Sequence, residues 1–343
     1  MRIAILYNLP SPSRYDLLGE TQAVCAVNAE VNAVEGVLKA DGHDVSLVGL
    51  TPPLSNALAT LANLSTDLVF NLFEGFDGRS ETEWQIAQAL EATWIPFTGA
   101  SSKTLALCLD KAKTKDVLVA SHLPTAPFQI LDSKTVDSIK VDFPVIVKPL
   151  REDASHGLNS DSVVHDVRAL AVQVLRLEEN YGGPVLVESF LPGREFNASV
   201  LGGRTPRVLP PTEIEYTADM PGVWILTFAA KWLPQDPAYR GSVVVCPAQI
   251  PDSLCHEIEG LAVAAYKAVG SPPYARVDMR ADVQGKLHIL EVNPNPDLDP
   301  EVGMARQSGA AGMTYTELIK AIVGSALEGR KFGRRRVASH ATR

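Results

Sequence analysis

The 343-residue sequence has little of several features that mark common protein classes. It holds 4 cysteines with no CxxC pair and no metal-ligand spacing, which favours a reduced, cytoplasmic protein whose cysteines are small buried residues. No apolar run reaches about 18 residues, so no membrane span is expected. The excess of 40 acidic over 31 basic residues gives a net charge of −9 and argues against a generic nucleic-acid binder.

Several short catalytic motifs are also missing. We find no GxxxxGK[ST] loop, no GxGxxG after a predicted strand, no HExxH and no GxSxG, which disfavours the nucleotide and hydrolase chemistries that depend on them. The first apolar run ends at Asn8-Leu9-Pro10. It is too short for the apolar part of a signal peptide and predicts a first β-strand instead.

What is present indicates a chain of several domains. Apolar runs and helical spacings alternate over the first hundred residues, which predicts a parallel sheet covered by helices. The pattern then changes: it predicts a helix over 102–120, strands separated by prolines and a polar loop at 151–159. Predicted strands dominate the rest of the chain. We therefore predict an N-terminal α/β domain, a central domain, a C-terminal domain and a basic tail, expected to be disordered, over 1–98, 99–190, 191–328 and 329–343.

The sharpest local signal is a predicted hairpin with arms at 274–280 and 286–294. Because side chains alternate across a strand, a loop with an even number of residues places Asp278 and Arg276 on one face with Glu291 and Asn293. A loop with an odd number of residues is expected to break this arrangement.

Two facing carboxylates beside a carboxamide repel each other unless a cation lies between them. Asp278, Glu291 and Asn293 are oxygen ligands that suit Mg²⁺ or Mn²⁺, and Arg276 on the same face would hold a phosphate or stabilise developing negative charge. The alternative is a solvated hairpin with ordinary charges, which the apolar remainder of both arms disfavours.

Further charged residues lie at strand ends. Lys148 closes an apolar strand ahead of the polar loop, an arrangement typical of a phosphate clamp, although lysine at a strand end is also common on surfaces. Neither Lys111 nor Lys231 stands out alone. Two carboxylates could meet an amino group or ribose hydroxyls, or could equally be exposed loop acids: Glu188 and Glu195.

Taken in order, these pieces resemble the D-alanine–D-alanine ligases and their relatives in the ATP-grasp superfamily, from residue 1 to about residue 328. The resemblance rests on Asn71–Gly75 with Glu81, Ile95–Gly99, Leu109–Lys111 with Lys115, Phe143–Pro149, Val185–Glu188, Gly193–Phe196, Lys231-Trp232, Cys246–Ala248, Arg276–Asp278 and Glu291–Asn293. It implies an α/β protein, α+β in its C-terminal part. The implied fold is a three-domain ATP-grasp fold with a Rossmann-like N-terminal domain, and ATP lies between the central lid and the C-terminal domain.

The resemblance also implies a mechanism. ATP and Mg²⁺ or Mn²⁺, as two ions, are the implied cofactors; the γ-phosphate passes to a carboxylate and an amine attacks the acylphosphate. The implied roles are phosphate binding by Lys111, Lys148 and Lys231, adenine and ribose binding by Glu188 and Glu195, metal binding by Asp278, Glu291 and Asn293, and catalysis by Arg276, Ser155 and Lys231.

The chain departs from the family where the amino acids bind. A Ser-Ser pair of the lid loop is Ala154-Ser155 here, Trp232 replaces a tyrosine, and the run from Asn293 to Glu301 lacks the family's Pro-Gly and the serine that follows it. We therefore expect an ATP-dependent carboxylate–amine ligase acting on another amino acid or small carboxylate, with an acidic acceptor site suited to an amine-bearing or cationic substrate. The candidate substrate-binding residues are Glu20, Glu81, Asp297 and Glu301.

Three alternatives remain open at this stage. The chain could make D-alanyl-D-alanine for peptidoglycan, act as a non-catalytic ATP-binding sensor or scaffold, or join an amine to the end of a protein or peptide. The expected partners are small molecules, with no nucleic acid and no membrane, and the resemblance also suggests a homodimer. The donor and acceptor themselves are not readable from the sequence.

Overall fold

The computed structural model describes residues 1–76, 78–203, 205–218 and 220–340, with side chains described as far as Glu328. Its first part is a parallel sheet in the order β2-β1-β3 with helices packed against it, as predicted. Val27, Val31 and Val34 recur at helical spacing and form the buried stripe of one of these helices. The elements are β1 (Arg2–Asn8), α1 (Arg14–Leu18), α2 (Thr21–Cys25), α3 (Val27–Ala40), β2 (Asp44–Leu50), α4 (Leu54–Ala62), β3 (Leu68–Leu72) and α5 (Thr82–Thr93).

The helix predicted over 102–120 is two helices, α6 (Ser102–Leu109) and α7 (Lys111–Ala120). Asp110 breaks the run because its backbone is extended and its side chain accepts a hydrogen bond from the Lys113 backbone N–H, which caps α7. The break makes Lys111 the first residue of a new helix, at the edge of the site described below.

A four-stranded antiparallel sheet follows in the order β4-β7-β5-β6, and α8 packs on it through an apolar core. Two short 3₁₀ turns lie in its connections, at Val136–Ser138 and Ser160–Ser162. The elements are β4 (Phe128–Leu131), β5 (Val145–Pro149), β6 (Val163–Val164), α8 (Val167–Tyr181) and β7 (Val185–Ser189).

The remaining strands form an antiparallel sheet in the order β11-β10-β8-β12-β13, with β9 also paired to β8. Two of these strands, β12 and β13, form the predicted hairpin. The elements are β8 (Glu195–Leu201), β9 (Arg207–Val208), β10 (Thr212–Tyr216), α9 (Phe228–Trp232), α10 (Pro237–Gly241), β11 (Ser242–Val245), α11 (Asp252–Ala268), β12 (Tyr274–Ala281), β13 (Leu287–Asn293), α12 (Gly303–Ala310) and α13 (Tyr315–His340).

Helices cross between these sheets. Cys108 and Leu118, from α6 and α7, are buried in the core beneath β12 and β13, whereas Leu318 and Ile322 of α13 pack with Phe70 on the N-terminal sheet. The parts of the chain are therefore joined by shared cores rather than by tethers, and the four predicted ranges stay a prediction. The predicted tail falls on residues whose side chains are not described and, at 341–343, outside the described residues.

None of the helices in the described part of the chain has both the length and the apolar character needed to cross a membrane.

Candidate active site

The hairpin pairs Asp278 with Glu291 and Arg276 with Asn293, as predicted, although the loop is not an even one. Strand β12 ends at Ala281 and β13 begins at Leu287, which leaves the odd-numbered loop 282–286. The expectation that an odd loop breaks the arrangement is wrong because a β-bulge intervenes: Met279 pairs with Ile289 and Asp278 with Glu291, so Leu290 is the extra residue.

Charges on this face are arranged in pairs. The Arg276 guanidinium donates two hydrogen bonds to Asp278, with Nε–Oδ1 and Nη2–Oδ2 distances of 2.7 and 2.7 Å. Burial disfavours the charged guanidinium, but the Asp278 carboxylate outweighs it and raises the pKa of Arg276. The Lys111 ammonium lies 3.9 Å from Glu291 Oε2 and 3.5 Å from Asp153 Oδ1. Cationic side chains and carboxylate oxygens thus meet on one surface.

A cavity of about 580 Å³, here the large cavity, opens above this surface. It lies between the sheet that carries Lys148 and the sheet that carries the hairpin. Every residue predicted to bind nucleotide or metal or to act in catalysis lines it: Lys111, Lys148, Ser155, Glu188, Glu195, Lys231, Arg276, Asp278, Glu291 and Asn293. The structure therefore brings these residues together; their individual roles stay predictions.

Carboxylates at the far wall of the large cavity are tied to cations of the chain. Glu188 is 1% exposed and lies between Lys115, at 2.6 Å, and Lys148. Burial alone would raise the pKa of Glu188, but the two ammonium groups hold this pKa at about 2. Glu195 accepts hydrogen bonds from Tyr216 Oη at 2.8 Å and from Arg280 at 2.7 Å. Glu188 is therefore ionised, and both carboxylates are held in fixed positions by partners of the chain.

The donor set on the hairpin fits a hard divalent cation. No group of three or more His, Cys, Asp or Glu side chains suited to a metal occurs in the described part of the chain. The site therefore depends on two carboxylates, Asp278 and Glu291, and on the Asn293 carboxamide. The Asn293 Oδ1 accepts one hydrogen bond, from the Asn295 backbone N–H at 2.9 Å, and keeps a second lone pair for a cation. Such oxygens suit Mg²⁺ completed by phosphate oxygens and water.

A second cavity of about 160 Å³, the small cavity, adjoins the large one. The two share a wall that includes Lys231, Arg276 and Asp297. The small cavity is rich in carboxylates that form no salt bridge with a described residue: Glu30, Glu74, Glu83 and Asp297. Among these four, sequence reasoning identified Asp297 as a site residue and missed the other three.

The acids of the small cavity destabilise one another's charged forms. Burial and the nearby carboxylate of Asp153 raise the pKa of Glu83 to about 8, although an Asn295 amide donates to Glu83 Oε1 at 2.8 Å. Burial and Asp297 raise the pKa of Glu30, which is 3% exposed and accepts from the Leu298 backbone N–H. A cation in the small cavity would be stabilised by these groups and would favour their ionisation.

Lys231 is the cation at the junction of the two cavities. Burial, and then the neighbouring Arg276, lower the pKa of Lys231. Its ammonium lies 5.0 Å from the centroid of the Trp232 ring, and the Trp232 indole donates to the Ala154 carbonyl at 2.9 Å. Trp232, where the family has tyrosine, thus joins the lid lysine to the loop that carries Ser155.

Three of the four predicted substrate residues lie outside both cavities. Glu81 accepts from Arg79 at 2.9 Å, and Glu301 is exposed. Glu20 is buried, and its carboxylate accepts from Tyr181 Oη, from the Gly157 backbone N–H and from His156 Nδ1. The prediction that Glu20 holds a substrate is not supported by this location, because three donors of the chain already occupy the carboxylate.

The hydrogen bonds of Glu20 should contribute to the free energy of unfolding. Replacing Glu20 with Gln is expected to lower the free energy of unfolding by about 2 kcal/mol, since buried donors lose a charged acceptor. Burial opposes ionisation, but the bonds from His156, Tyr181 and Gly157 lower the pKa of Glu20 below its ordinary 4.5. Ionised Glu20 therefore stabilises the fold at pH values above 4.5. This contribution to the free energy of unfolding is lost as pH falls through the lowered pKa of Glu20.

Urea unfolding at several pH values checks this expectation. The difference between the wild type and Glu20→Gln should be largest near pH 7 and should shrink as pH falls below about 4. Glu35→Gln is the control, because Glu35 pairs with Lys39 on the surface of α3, where about 0.5 kcal/mol or less is at stake. If both variants lost the same free energy of unfolding, the role of Glu20 in holding His156 and Gly157 would be contradicted.

Comparisons with known proteins agree with this geometry. The family model described as "D-ala D-ala ligase C-terminus" matches residues 117–324. The chain is 33% identical over 299 residues to the uncharacterized protein y4sG of Sinorhizobium fredii, covering 85% of each. It is 30% identical over 316 residues to a D-alanine–D-alanine ligase of Gluconobacter oxydans, covering 91% of this chain and 98% of that one.

Solved structures share the fold. A D-alanine–D-alanine ligase from Bacillus anthracis superposes with a TM-score of 0.77 at 23% identity, over 97% of this chain and 99% of that one. The same enzyme complexed with ATP gives a TM-score of 0.75 at 21% identity, with the same coverage.

Proposed function

Since the chain belongs to the D-alanine–D-alanine ligase family, whose members use ATP to join a carboxylate to an amine, we propose that it forms a peptide or amide bond with an amino acid that bears an additional cationic group. Family membership confirms the predicted ATP-grasp fold and the predicted ligase activity.

The large cavity is the proposed ATP site. Lys111 and Lys148 would bind phosphate oxygens as point charges, and Glu195 would meet the ribose. Asp278, Glu291 and Asn293 would hold Mg²⁺, which, when bound, neutralises charge on the phosphates. The observation that supports this placement is the convergence of two lysines and three oxygen ligands on a single cavity.

Chemistry is proposed to occur at the wall shared by the two cavities. Transfer of the γ-phosphate to a substrate carboxylate gives an acylphosphate and ADP; the amine then attacks the acyl carbon, loses a proton and expels inorganic phosphate. Arg276 and Lys231 lie on this wall. Their charges would stabilise the transferring phosphoryl group and the tetrahedral intermediate, and Ser155, on the adjoining loop, would orient a phosphate oxygen.

The small cavity supports the choice of a cationic substrate. An ordinary amino acid brings one ammonium group, whereas Glu30, Glu74, Glu83 and Asp297 offer an excess of carboxylates without salt-bridge partners among the described residues. Carboxyl groups whose pKa is raised by burial and by mutual repulsion regain their charge when a cation binds between them. A second ammonium on the substrate side chain would meet this need.

An ADP-release screen tests the proposed function. Purified protein would be incubated with ATP, Mg²⁺ and pairs of D- and L-amino acids, including alanine and amino acids with ammonium side chains, and products would be identified by mass spectrometry. We expect release to depend on both partners and to be fastest with an ammonium side chain. Fastest release with D-alanine alone, giving D-alanyl-D-alanine, would leave the ligase activity intact and contradict the cationic substrate.

Glu83→Gln should weaken this preference in a pH-dependent way. The variant keeps an oxygen for Asn295 but cannot ionise, so the ratio of kcat/KM for the cationic amino acid to that for alanine should fall about tenfold near pH 8.5. Because the pKa of Glu83 is about 8, the wild-type carboxyl is mostly protonated near pH 6.5, and the two proteins should converge there. The substrate ammonium stays charged throughout this range.

The matched control is Glu301→Gln, because Glu301 is exposed and lines neither cavity. This variant should keep the wild-type ratio at every pH. A Glu83→Gln ratio that equals the wild-type ratio near pH 8.5 would refute the assignment of the small cavity to a cationic group.

A further inference from the structure

Arg280, on β12, is an arginine in the wall of the large cavity, and it is 5% exposed. It lies directly opposite Glu195 of β8 in the register of the two strands, and its Nη1 donates to Glu195 Oε2 at 2.7 Å. Directly opposed residues of an antiparallel pair have side chains close enough to interact. Strand pairing itself therefore brings this guanidinium to the carboxylate that is proposed to meet the ribose.

A second donor approaches the same oxygen of Glu195. Tyr216 lies two residues beyond Ile214, the partner of Glu195 on β10, and therefore on the same face of the sheet. Its hydroxyl donates to Glu195 Oε2 at 2.8 Å. Burial and the Glu195 carboxylate raise the pKa of Tyr216, so the hydroxyl stays protonated and keeps donating. Oε2 is thus occupied twice, whereas Oε1 accepts no hydrogen bond from the described residues.

Other contacts fix the position of the Arg280 guanidinium. Its Nη2 donates to the Trp224 backbone carbonyl. Its Cζ lies 5.4 Å from the centroid of the Phe190 ring and 5.7 Å from the centroid of the Tyr216 ring, and contacts of a guanidinium with aromatic faces are favourable. Because the guanidinium is held from several sides, the carboxylate bonded to it is held as well.

We propose that Arg280 is a positioning residue for the nucleotide: together with Tyr216 it occupies Oε2 of Glu195, so that Oε1 is presented to the ribose hydroxyls. The proposal rests on the proposed placement of ATP in the large cavity. It assigns to Arg280 an effect on the sugar that is exerted through Glu195. A carboxylate that other donors already hold in place loses less conformational entropy when it binds a hydroxyl.

The test compares ATP with 2′,3′-dideoxy-ATP, which lacks both ribose hydroxyls, by calorimetric titration of the purified protein with Mg²⁺ present. Binding measured in this way does not require the amino-acid substrates to be known. In the wild type we expect dideoxy-ATP to bind about thirtyfold more weakly than ATP, because hydrogen bonds to a carboxylate are lost. In Arg280→Met the buried carboxylate lacks its counter-ion and should turn away from the ribose, so the ratio of the two dissociation constants should fall to about threefold.

This ratio separates positioning from a merely structural effect. A variant whose large cavity is only distorted should bind both nucleotides more weakly to the same extent and leave the ratio unchanged. Arg280→Lys restores a positive charge opposite Glu195 and should bring the ratio back to about tenfold or more. Arg207→Met is the control, since Arg207 is exposed on β9 of the same sheet and lines neither cavity. It should keep the wild-type ratio.

Tyr216→Phe keeps the proposal testable if Arg280→Met does not fold. Phenylalanine keeps the ring beside Arg280 and removes only the donor to Glu195 Oε2, so the ratio should fall about threefold from the wild-type value. A wild-type ratio in either Arg280→Met or Tyr216→Phe would overturn the proposal.

Glu195→Gln distinguishes this failure from failure of the ATP placement. Glutamine keeps the shape of the side chain but is a weaker acceptor, so the ratio should fall about tenfold. If Glu195→Gln lowers the ratio and Arg280→Met does not, the placement of ATP stands and the role of Arg280 is wrong. If the wild type binds both nucleotides equally, or if Glu195→Gln leaves the ratio unchanged, the ribose does not lie at Glu195 and both proposals fail.

Discussion

Glu291→Gln is expected to lower kcat for ADP release about a thousandfold. Glutamine keeps the shape of the side chain but removes the charge that faces Asp278 across the hairpin and Lys111 at 3.9 Å. A preorganised charge at the site of phosphoryl transfer is commonly worth about 10²–10³ in kcat, and loss of a metal ligand adds to this. The measurement is kcat with saturating ATP, Mg²⁺ and the best amino-acid pair.

Asp282→Asn is the control for Glu291→Gln. Asp282 belongs to the same hairpin, but its carboxylate faces His288 at 3.0 Å in the loop and does not line either cavity. We expect less than about a twofold change in kcat, because this pair lies in the loop of the hairpin, away from both cavities. A Glu291→Gln protein that keeps more than about a tenth of the wild-type kcat would contradict the proposed metal site.

The hairpin shows how much the alternation of side chains along a strand can predict. Strand alternation alone placed Arg276 and Asp278 on one face, and the structure pairs them with Asn293 and Glu291. The route to this pairing could not be read from the sequence, because a bulge depends on how the loop 282–286 closes rather than on the residues of the arms. Two deviations, an odd loop and a bulge at Leu290, cancel each other.

Some of the acids that line the small cavity could have been predicted from the sequence. Glu30 lies in the apolar stripe of α3, between Val27 and Val34, and a carboxylate at a core position of a helix is an anomaly that deserves a functional interpretation. Glu83 offers no such signal. Its raised pKa depends on burial and on Asp153, which a distant loop brings close.

Glu20 shows the opposite limit of sequence reasoning. A carboxylate after the first strand resembled a substrate ligand, but its partners His156 and Tyr181 come from the central part of the chain. Tertiary packing brings these partners to Glu20, and no local sequence pattern around residue 20 predicts them. The family could be recognised because the residues of each short motif lie together in sequence, whereas the partners of Glu20 could not be predicted in this way.

The second large effect concerns the guanidinium at the junction of the cavities. Arg276→Met is expected to lower kcat about a thousandfold and Arg276→Lys about a hundredfold, because lysine restores the charge but not the planar, bidentate contact with Asp278. KM for ATP should change less than kcat, since Lys111 and Lys148 remain. Trapping the acylphosphate with hydroxylamine and counting the acyl hydroxamate would show how far phosphoryl transfer itself is slowed.

Arg194 supplies a control with matched chemistry. It also holds a carboxylate through two hydrogen bonds, to Glu213 at 2.5 and 2.6 Å, but it lines neither cavity. Arg194→Met should therefore leave kcat within about twofold, although it lowers the free energy of unfolding because Glu213, at 4% exposed, loses its partner. If Arg276→Met kept more than about a tenth of the wild-type kcat, Lys231 would be the remaining cation at the shared wall, and the charge stabilisation would have to be assigned to it.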